Sequence, residues 1–271
     1  MSAESIAITS GAKSALLGVF STSEANAARA AALAAGLRLP FADDASAGNF
    51  SHGLYVTSDR LELRRFEPSE PGSVYVDFVL GRAAYRRRFG GGRNQPLARA
   101  VGLKGHAVTT VIDATAGLGR DGFVLAGLGC AVVLLERSPI IAALLRDGLE
   151  RAARDPEIGS WVPQRLRLIE ADSRNYLSAL AEADRPQTIY LDPMYPHRRK
   201  SALVKKELRV LRELAGDDDD APGLLAAALA CARRRVVVKR PRLAPALSGA
   251  APDFEIVAPN TRFDVYLTSR T

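Results

Sequence analysis

Val111-Ile-Asp-Ala-Thr-Ala-Gly-Leu-Gly-Arg-Asp-Gly122 decides the fold of this 271-residue chain. A short apolar run closes on Asp113, a glycine-rich turn follows, and helix-forming residues begin at Arg120. Glycine permits the tight turn and lets a ligand come close to the backbone. Outward from that turn the rhythm is strand, helix, strand. The pattern predicts strands over Val108–Asp113, Ala131–Glu136, Arg165–Ile169, Gln187–Asp192 and Arg235–Lys239. It predicts helices over Arg120–Gly127, Ser138–Ala153, Ser201–Leu214 and Ala221–Ala232, with Ser138 as an N-cap and Pro139 at a first helical position. Phe254–Val257 and Phe263–Thr268 read as a closing hairpin. Such alternation implies an α/β domain whose mostly parallel sheet is covered by helices on both faces.

The texture differs before residue 105. An alanine-rich helix is expected over Ser23–Leu37, followed by short β-branched or aromatic runs at Leu54–Thr57, Leu61–Arg65 and Val74–Val79. These suggest a small β-rich meander. We therefore expect an N-terminal α+β domain over residues 1–105 and a larger domain over 106–271. The segment Gly81–Arg93 is too basic and too broken by glycine for a core, and Asp217–Asp220 reads as a solvated loop. A net charge of +7 biases the surface toward polyanions. Cys130 and Cys231 lie in apolar contexts without metal-ligand spacing, so they read as buried free thiols of a reducing compartment. Neither a secretory signal nor a membrane-spanning run is evident, and a cytoplasmic protein without a metal site is expected.

The turn fits G-x-G-x-x-G through Gly117, Gly119 and Gly122, and Glu136 follows at the distance of a ribose-binding acid. A nicotinamide-dependent oxidoreductase and an S-adenosylmethionine enzyme both satisfy that pattern. Two residues favour the second. Asp113 ends the strand where it can orient the amino-acid part of a methionine. Asp121 would set a negative charge against a pyrophosphate at the helix N-terminus. Asp172, after the third strand of the larger domain, either reaches an adenine amine or caps a helix starting near Ser173.

Thr188-Ile-Tyr-Leu-Asp-Pro-Met-Tyr-Pro196 carries the reaction chemistry. An acid and a rigid carbonyl at a strand exit, with an aromatic ring nearby, suit an exocyclic amine on a planar base. Asp192 and the Pro193 carbonyl would accept the amine hydrogens, and Tyr195 would stack on the base. Holding those hydrogens localises the nitrogen lone pair toward the methyl donor, so positioning and electrostatics supply most of the help. Asp192-Pro-Met-Tyr195 resembles the D/N/S-P-P-Y/F/W motif of amino-group methyltransferases, with Met194 replacing the second proline. The basic stretch Arg198–Lys206 follows where a phosphate backbone would pass.

The longer motifs resemble one family. Asp113–Gly122, Leu135-Glu-Arg-Ser-Pro139, Leu145–Leu149, Tyr190–Pro196, Lys200–Glu207, Val236–Pro241 and Arg262–Tyr266 look like the bacterial ribosomal RNA small subunit methyltransferase J family. Val76–Val79 and Arg86–Gly92 extend the likeness, which covers most of residues 50–268. The resemblance implies a class I, Rossmann-like methyltransferase with a seven-stranded sheet. It also implies methyl transfer from S-adenosylmethionine to N2 of a guanosine near the 3′ end of 16S rRNA, free or in the 30S subunit. The family's cofactor positions carry over to Arg120, Asp121, Glu136, Arg137, Asp172, Ser173 and Asp192. On this reading Arg86, Arg87, Arg88, Arg93, Arg198, Arg199 and Lys205 form a track for rRNA. The rival readings are a non-catalytic rRNA-binding assembly protein on the same fold and an NAD(P)-dependent oxidoreductase.

Overall fold

The structure is a computed structural model that describes residues 17–66, 73–80, 91–103, 109–193 and 221–268. The expected helix Ser201–Leu214 and the loop Asp217–Asp220 lie outside them. In chain order the main elements begin with β1 (Leu17–Ser21), α1 (Ala27–Leu37), β2 (His52–Val56), β3 (Leu61–Arg65) and β4 (Ser73–Val74). Next come α2 (Pro96–Ala100), β5 (Thr110–Asp113), α3 (Arg120–Gly127), β6 (Ala131–Glu136), α4 (Pro139–Ala153) and α5 (Val162–Arg165). The series closes with β7 (Leu166–Glu170), α6 (Ser173–Ala179), β8 (Thr188–Leu191), α7 (Ala221–Cys231), β9 (Arg235–Pro241), β10 (Phe254–Val257) and β11 (Thr261–Leu267).

Among the described residues, one compact unit runs up to Val76 and adds Ser138–Arg151, while the second holds the rest. Compactness thus divides the chain discontinuously, whereas sequence texture suggested a single boundary near residue 105. The first unit contains a four-stranded sheet in the order β1-β2-β3-β4, with β1 parallel to β2 and the remaining pairs antiparallel. Its charged anchor is Asp147 on α4, 6% exposed. That carboxylate accepts from Arg29 (2.8 Å), the Leu61 amide (3.1 Å) and Arg151 (2.9 Å). A buried acid is tolerable because it is paired and hydrogen-bonded on both oxygens.

Sequence reasoning missed β1, a five-residue strand in which Val19 is the only β-branched residue. It also overran β4. Asp77 accepts from the amides of Val79 and Leu80, both at 2.9 Å. A side chain that closes such a turn on its own backbone ends the extended run.

The second unit holds a seven-stranded sheet ordered β10-β11-β9-β8-β5-β6-β7. Neighbouring pairs from β9 to β7 are parallel, and β11 runs antiparallel to both β9 and β10. The expected mostly parallel sheet and closing hairpin are therefore present. One face buries Ile112, Leu135, Ile189, Leu191, Val236 and Val238 against Leu224, Leu225 and Ala228 of α7. On α3, Phe123 stacks on Phe78 (ring centroids 4.3 Å apart) and tilts against Trp161 (5.3 Å). The chain leaves β5 toward β6 on one side and reaches β8 on the other. Ligands of open α/β sheets bind outside the strand carboxyl ends at such a switch point.

Gly122 lets α3 approach the sheet. A Cβ there would stand 2.3 Å from Leu134 Cδ2 and 3.3 Å from Asp113 Oδ2. Gly122→Ala should cost about 1–3 kcal/mol through overpacking. Urea denaturation checks this, and a variant as stable as the parent would show that α3 does not need the close approach.

Candidate active site

Strand alternation builds the site. Asp113 is registered with Tyr190, and Tyr190 with Val237. Successive side chains alternate faces, so Asp113, Tyr190 and Lys239 stand on the face opposite the Ile112–Val238 core. α3 contributes Asp121 from its first turn. Lys239 Nζ donates to Asp121 Oδ2 (2.8 Å) and Asp192 Oδ2 (2.7 Å), and the Tyr190 hydroxyl donates to Asp121 Oδ2 (2.7 Å). Side chains from α3, β8, β9 and the β8 exit therefore converge on one charge cluster.

The three carboxylates differ. Burial first, and then the neighbouring Asp121 charge, push the Asp113 carboxyl up to about 8. Burial and the surrounding acids likewise raise the Tyr190 phenol well above its ordinary value, so it remains a donor. Burial opposes charge on Lys239, but Asp192 and Asp121 outweigh it and raise the ammonium above its ordinary value. Asp192 is the acid that reaches outward, with a side chain 40% exposed against 10% for Asp121.

The glycine turn is fastened at both ends. Gly117 and Gly119 have φ of 53° and 70°, a region that favours glycine. The Gly117 amide donates to Glu136 Oε2 at 2.9 Å, and the Ala116 amide to the Leu135 carbonyl at 3.0 Å. A Cβ on Gly117 would meet nothing within 4 Å, so open space lies over the turn beside a carboxylate. That arrangement fits a ribose-bearing cofactor. Thr115 Oγ1 accepts the Asp192 amide at 2.6 Å, which pins the start of the Asp-Pro corner to the turn.

The remaining sequence-derived residues divide. Glu136 is buried at the end of β6, while Arg120 and Arg137 are exposed at the starts of α3 and of the segment after β6. Asp172 is the N-cap of α6 and accepts from the Asn175 amide at 2.9 Å, so its capping reading is realised. The Ser173 hydroxyl donates to the Ala114 carbonyl at 2.6 Å and ties α6 to the turn. Asp121 is engaged by Tyr190 and Lys239. Arg93 is half-buried and donates to the Leu128 carbonyl at 2.9 Å, a bond that holds the end of α3. Pro193 is buried. Tyr195, Arg86, Arg87, Arg88, Arg198, Arg199 and Lys205 lie outside the described residues.

Lys239, Tyr190 and Thr115 have no function assigned from sequence. A signal exists for Lys239, since a lysine closing the valine run Val236–Val238 interrupts an otherwise buried strand. Cys130 and Cys231 are free and buried, as expected. Among the described residues no cluster of metal-ligating side chains occurs, and no helix is long and apolar enough to cross a membrane.

Asp113 has a pH consequence. Its folded value lies above the usual carboxylate range, so the native state holds a proton that the unfolded chain has released. Stability from this group is present at low pH and falls as pH rises from about 4 toward about 8. Asp113→Asn should flatten that fall in urea denaturation at pH 6 and 8.5. An unchanged slope would mean that Asp113 is ionised in the fold.

A family model described as "Putative SAM-dependent methyltransferase" matches residues 37–268. The ribosomal RNA small subunit methyltransferase J of Thioalkalivibrio sulfidiphilus is 58% identical over 240 residues, covering 89% of this chain and 93% of that protein. Its counterpart in Aeromonas salmonicida is 59% identical over 214 residues, covering 79% and 85%. The crystal structure of the SAM-dependent methyltransferase NGO1261 from Neisseria gonorrhoeae superposes with a TM-score of 0.70 at 35% identity, over 94% of this chain and 97% of that one. With the sheet order, the fastened glycine turn and the Asp-Pro corner at the switch point, these likenesses show that the chain belongs to the ribosomal RNA small subunit methyltransferase J family of S-adenosylmethionine-dependent enzymes.

Proposed function

We propose that this enzyme methylates the exocyclic N2 amine of a guanosine near the 3′ end of 16S rRNA. The observation that carries this reading is Asp192, a part-exposed carboxylate at the exit of β8 with its backbone pinned by Thr115. The names of the curated relatives supply the substrate class.

S-adenosylmethionine supplies an electrophilic methyl group when bound. Glu136 would hold its ribose hydroxyls, with Gly117 and Gly119 allowing close approach and Asp113, Arg120, Asp121, Arg137, Asp172 and Ser173 framing the pocket. Asp192 and the Pro193 carbonyl accept the amine hydrogens, and Tyr195 stacks on the base. Asp192 is then the acceptor nearest the proton that leaves the methylated nitrogen. No separate strong base is required, because orientation and fixed acceptors lower the barrier. The substrate is 16S rRNA, alone or within the 30S subunit, and the enzyme works in the cytoplasm without a metal.

Labelled methyl transfer to undermethylated 30S subunits, followed by nuclease digestion, should yield N2-methylguanosine. Asp192→Ala should abolish that product while leaving the thermal transition intact, and undiminished turnover would remove the amine-binding role. Alanine replacement of Arg86, Arg87, Arg88, Arg198, Arg199 or Lys205 should weaken RNA binding and reduce its salt slope by about one for each phosphate left unneutralised. Cofactor affinity should not move. Arg93→Ala should chiefly lower stability, since its described bond is internal. Loss of cofactor affinity in the basic-track variants would reassign them to the fold or the pocket.

A further inference from the structure

Lys239 joins two acids that perform different tasks. Asp121 is buried at the start of α3, whereas Asp192 reaches outward from the β8 exit. One ammonium at 2.8 and 2.7 Å from them couples the helix after the glycine turn to the amine-binding corner. The strand itself does not demand a cation here. Val237 is the apolar same-face neighbour on β9, and Phe263 stands opposite Lys239 on β11. Other titratable groups on this face are Asp113 from β5, Tyr190 from β8, Arg235 at the start of β9, and Glu136 and Glu170 at the ends of β6 and β7.

We propose that Lys239 is a positioning residue for methyl transfer, whose ammonium, anchored by Asp121, holds the Asp192 carboxylate ionised and turned toward the substrate amine. This rests on the reading of Asp192 as the amine acceptor. A carboxylate that rotates or protonates is a poorer acceptor for amine hydrogens, and an opposite charge at hydrogen-bond distance opposes both changes. Asp121 in turn keeps the lysine from swinging into solvent, because a buried acid stripped of its partner is costly. The residue therefore acts through Asp192 and does not itself touch the transferred group.

The test compares Lys239→Gln, Lys239→Arg and Asp192→Ala in the full-length enzyme. Readouts are the pH dependence of kcat on undermethylated 30S subunits, cofactor affinity by calorimetry, and the Asp192 carboxyl signal in carbon-13 spectra of the ligand-free protein. Lys239→Gln should lower kcat about 10- to 100-fold, the scale of a displaced catalytic group. It should also shift the acid limb to higher pH and shift the Asp192 titration with it, while cofactor affinity stays within about threefold. Restoring the charge in Lys239→Arg should return the limb toward its original place. An unmoved limb and titration in Lys239→Gln, or equal losses in kcat and cofactor affinity, overturn the proposal. If Lys239→Gln does not fold, Asp121→Asn/Lys239→Gln removes the uncompensated acid and carries the pH-limb and Asp192-titration readouts without the cofactor-affinity criterion. Inactive Asp192→Ala beside an unaffected Lys239→Gln rejects only the lysine's role. Active Asp192→Ala rejects the amine-acceptor reading itself.

Discussion

Parallel strands buried on both faces can carry charge only near their ends, and that constraint shapes the working part of this protein. β5, β8 and β9 are apolar along their middles and turn ionisable or polar at their carboxyl ends, in Asp113, Asp192 and Lys239. Parallel registration brings those ends to one edge of the sheet. The chemistry therefore gathers where the chain reverses direction between β5 and β8. The glycine turn supplies the space, and the strand ends supply the charge.

Three acids and a lysine packed together do not by themselves favour folding. Desolvating them is costly, and apolar replacements of similar size are often no less stable. The cluster lowers that cost by division of labour: Asp113 retains its proton, Tyr190 donates to Asp121, and Lys239 is shared by Asp121 and Asp192. This leaves a part-exposed carboxylate beside an ammonium at the β8 exit. Local instability of that kind is expected where function sets the arrangement.

The larger sheet was legible because its strands are apolar runs, several of them closed by acids, and α3, β6 and β10 have the bounds expected from sequence. Glu136 and Asp192 were legible because each ends such a run. β1 was not, since its parallel partnership with β2 joins segments about 30 residues apart that share no local signal. The assignment of Ser138–Arg151, which includes most of α4, to the first compact unit was also hidden. Amphipathic periodicity shows that a helix has a buried face without naming what covers it. Lys239 escaped notice because its meaning depends on acids from α3 and the β8 exit, which only the fold brings together.

Asp121 illustrates how a correct conclusion can rest on an incomplete reason. Its negative charge in the turn argues against a pyrophosphate, and so against a dinucleotide. In the fold that charge faces the sheet and is matched by Lys239 and Tyr190. Repulsion from Asp121 is accordingly weakened, and the G-x-G-x-x-G turn discriminates less between cofactors than its sequence suggests. Glu136 does not discriminate either, because both cofactor types present a ribose. What remains distinctive is the Asp192-Pro193 corner. It has the acceptors that suit an amine. The features that suit methyl transfer thus lie at the strand ends, where Lys239 links the acid of the turn to the acid at the β8 exit.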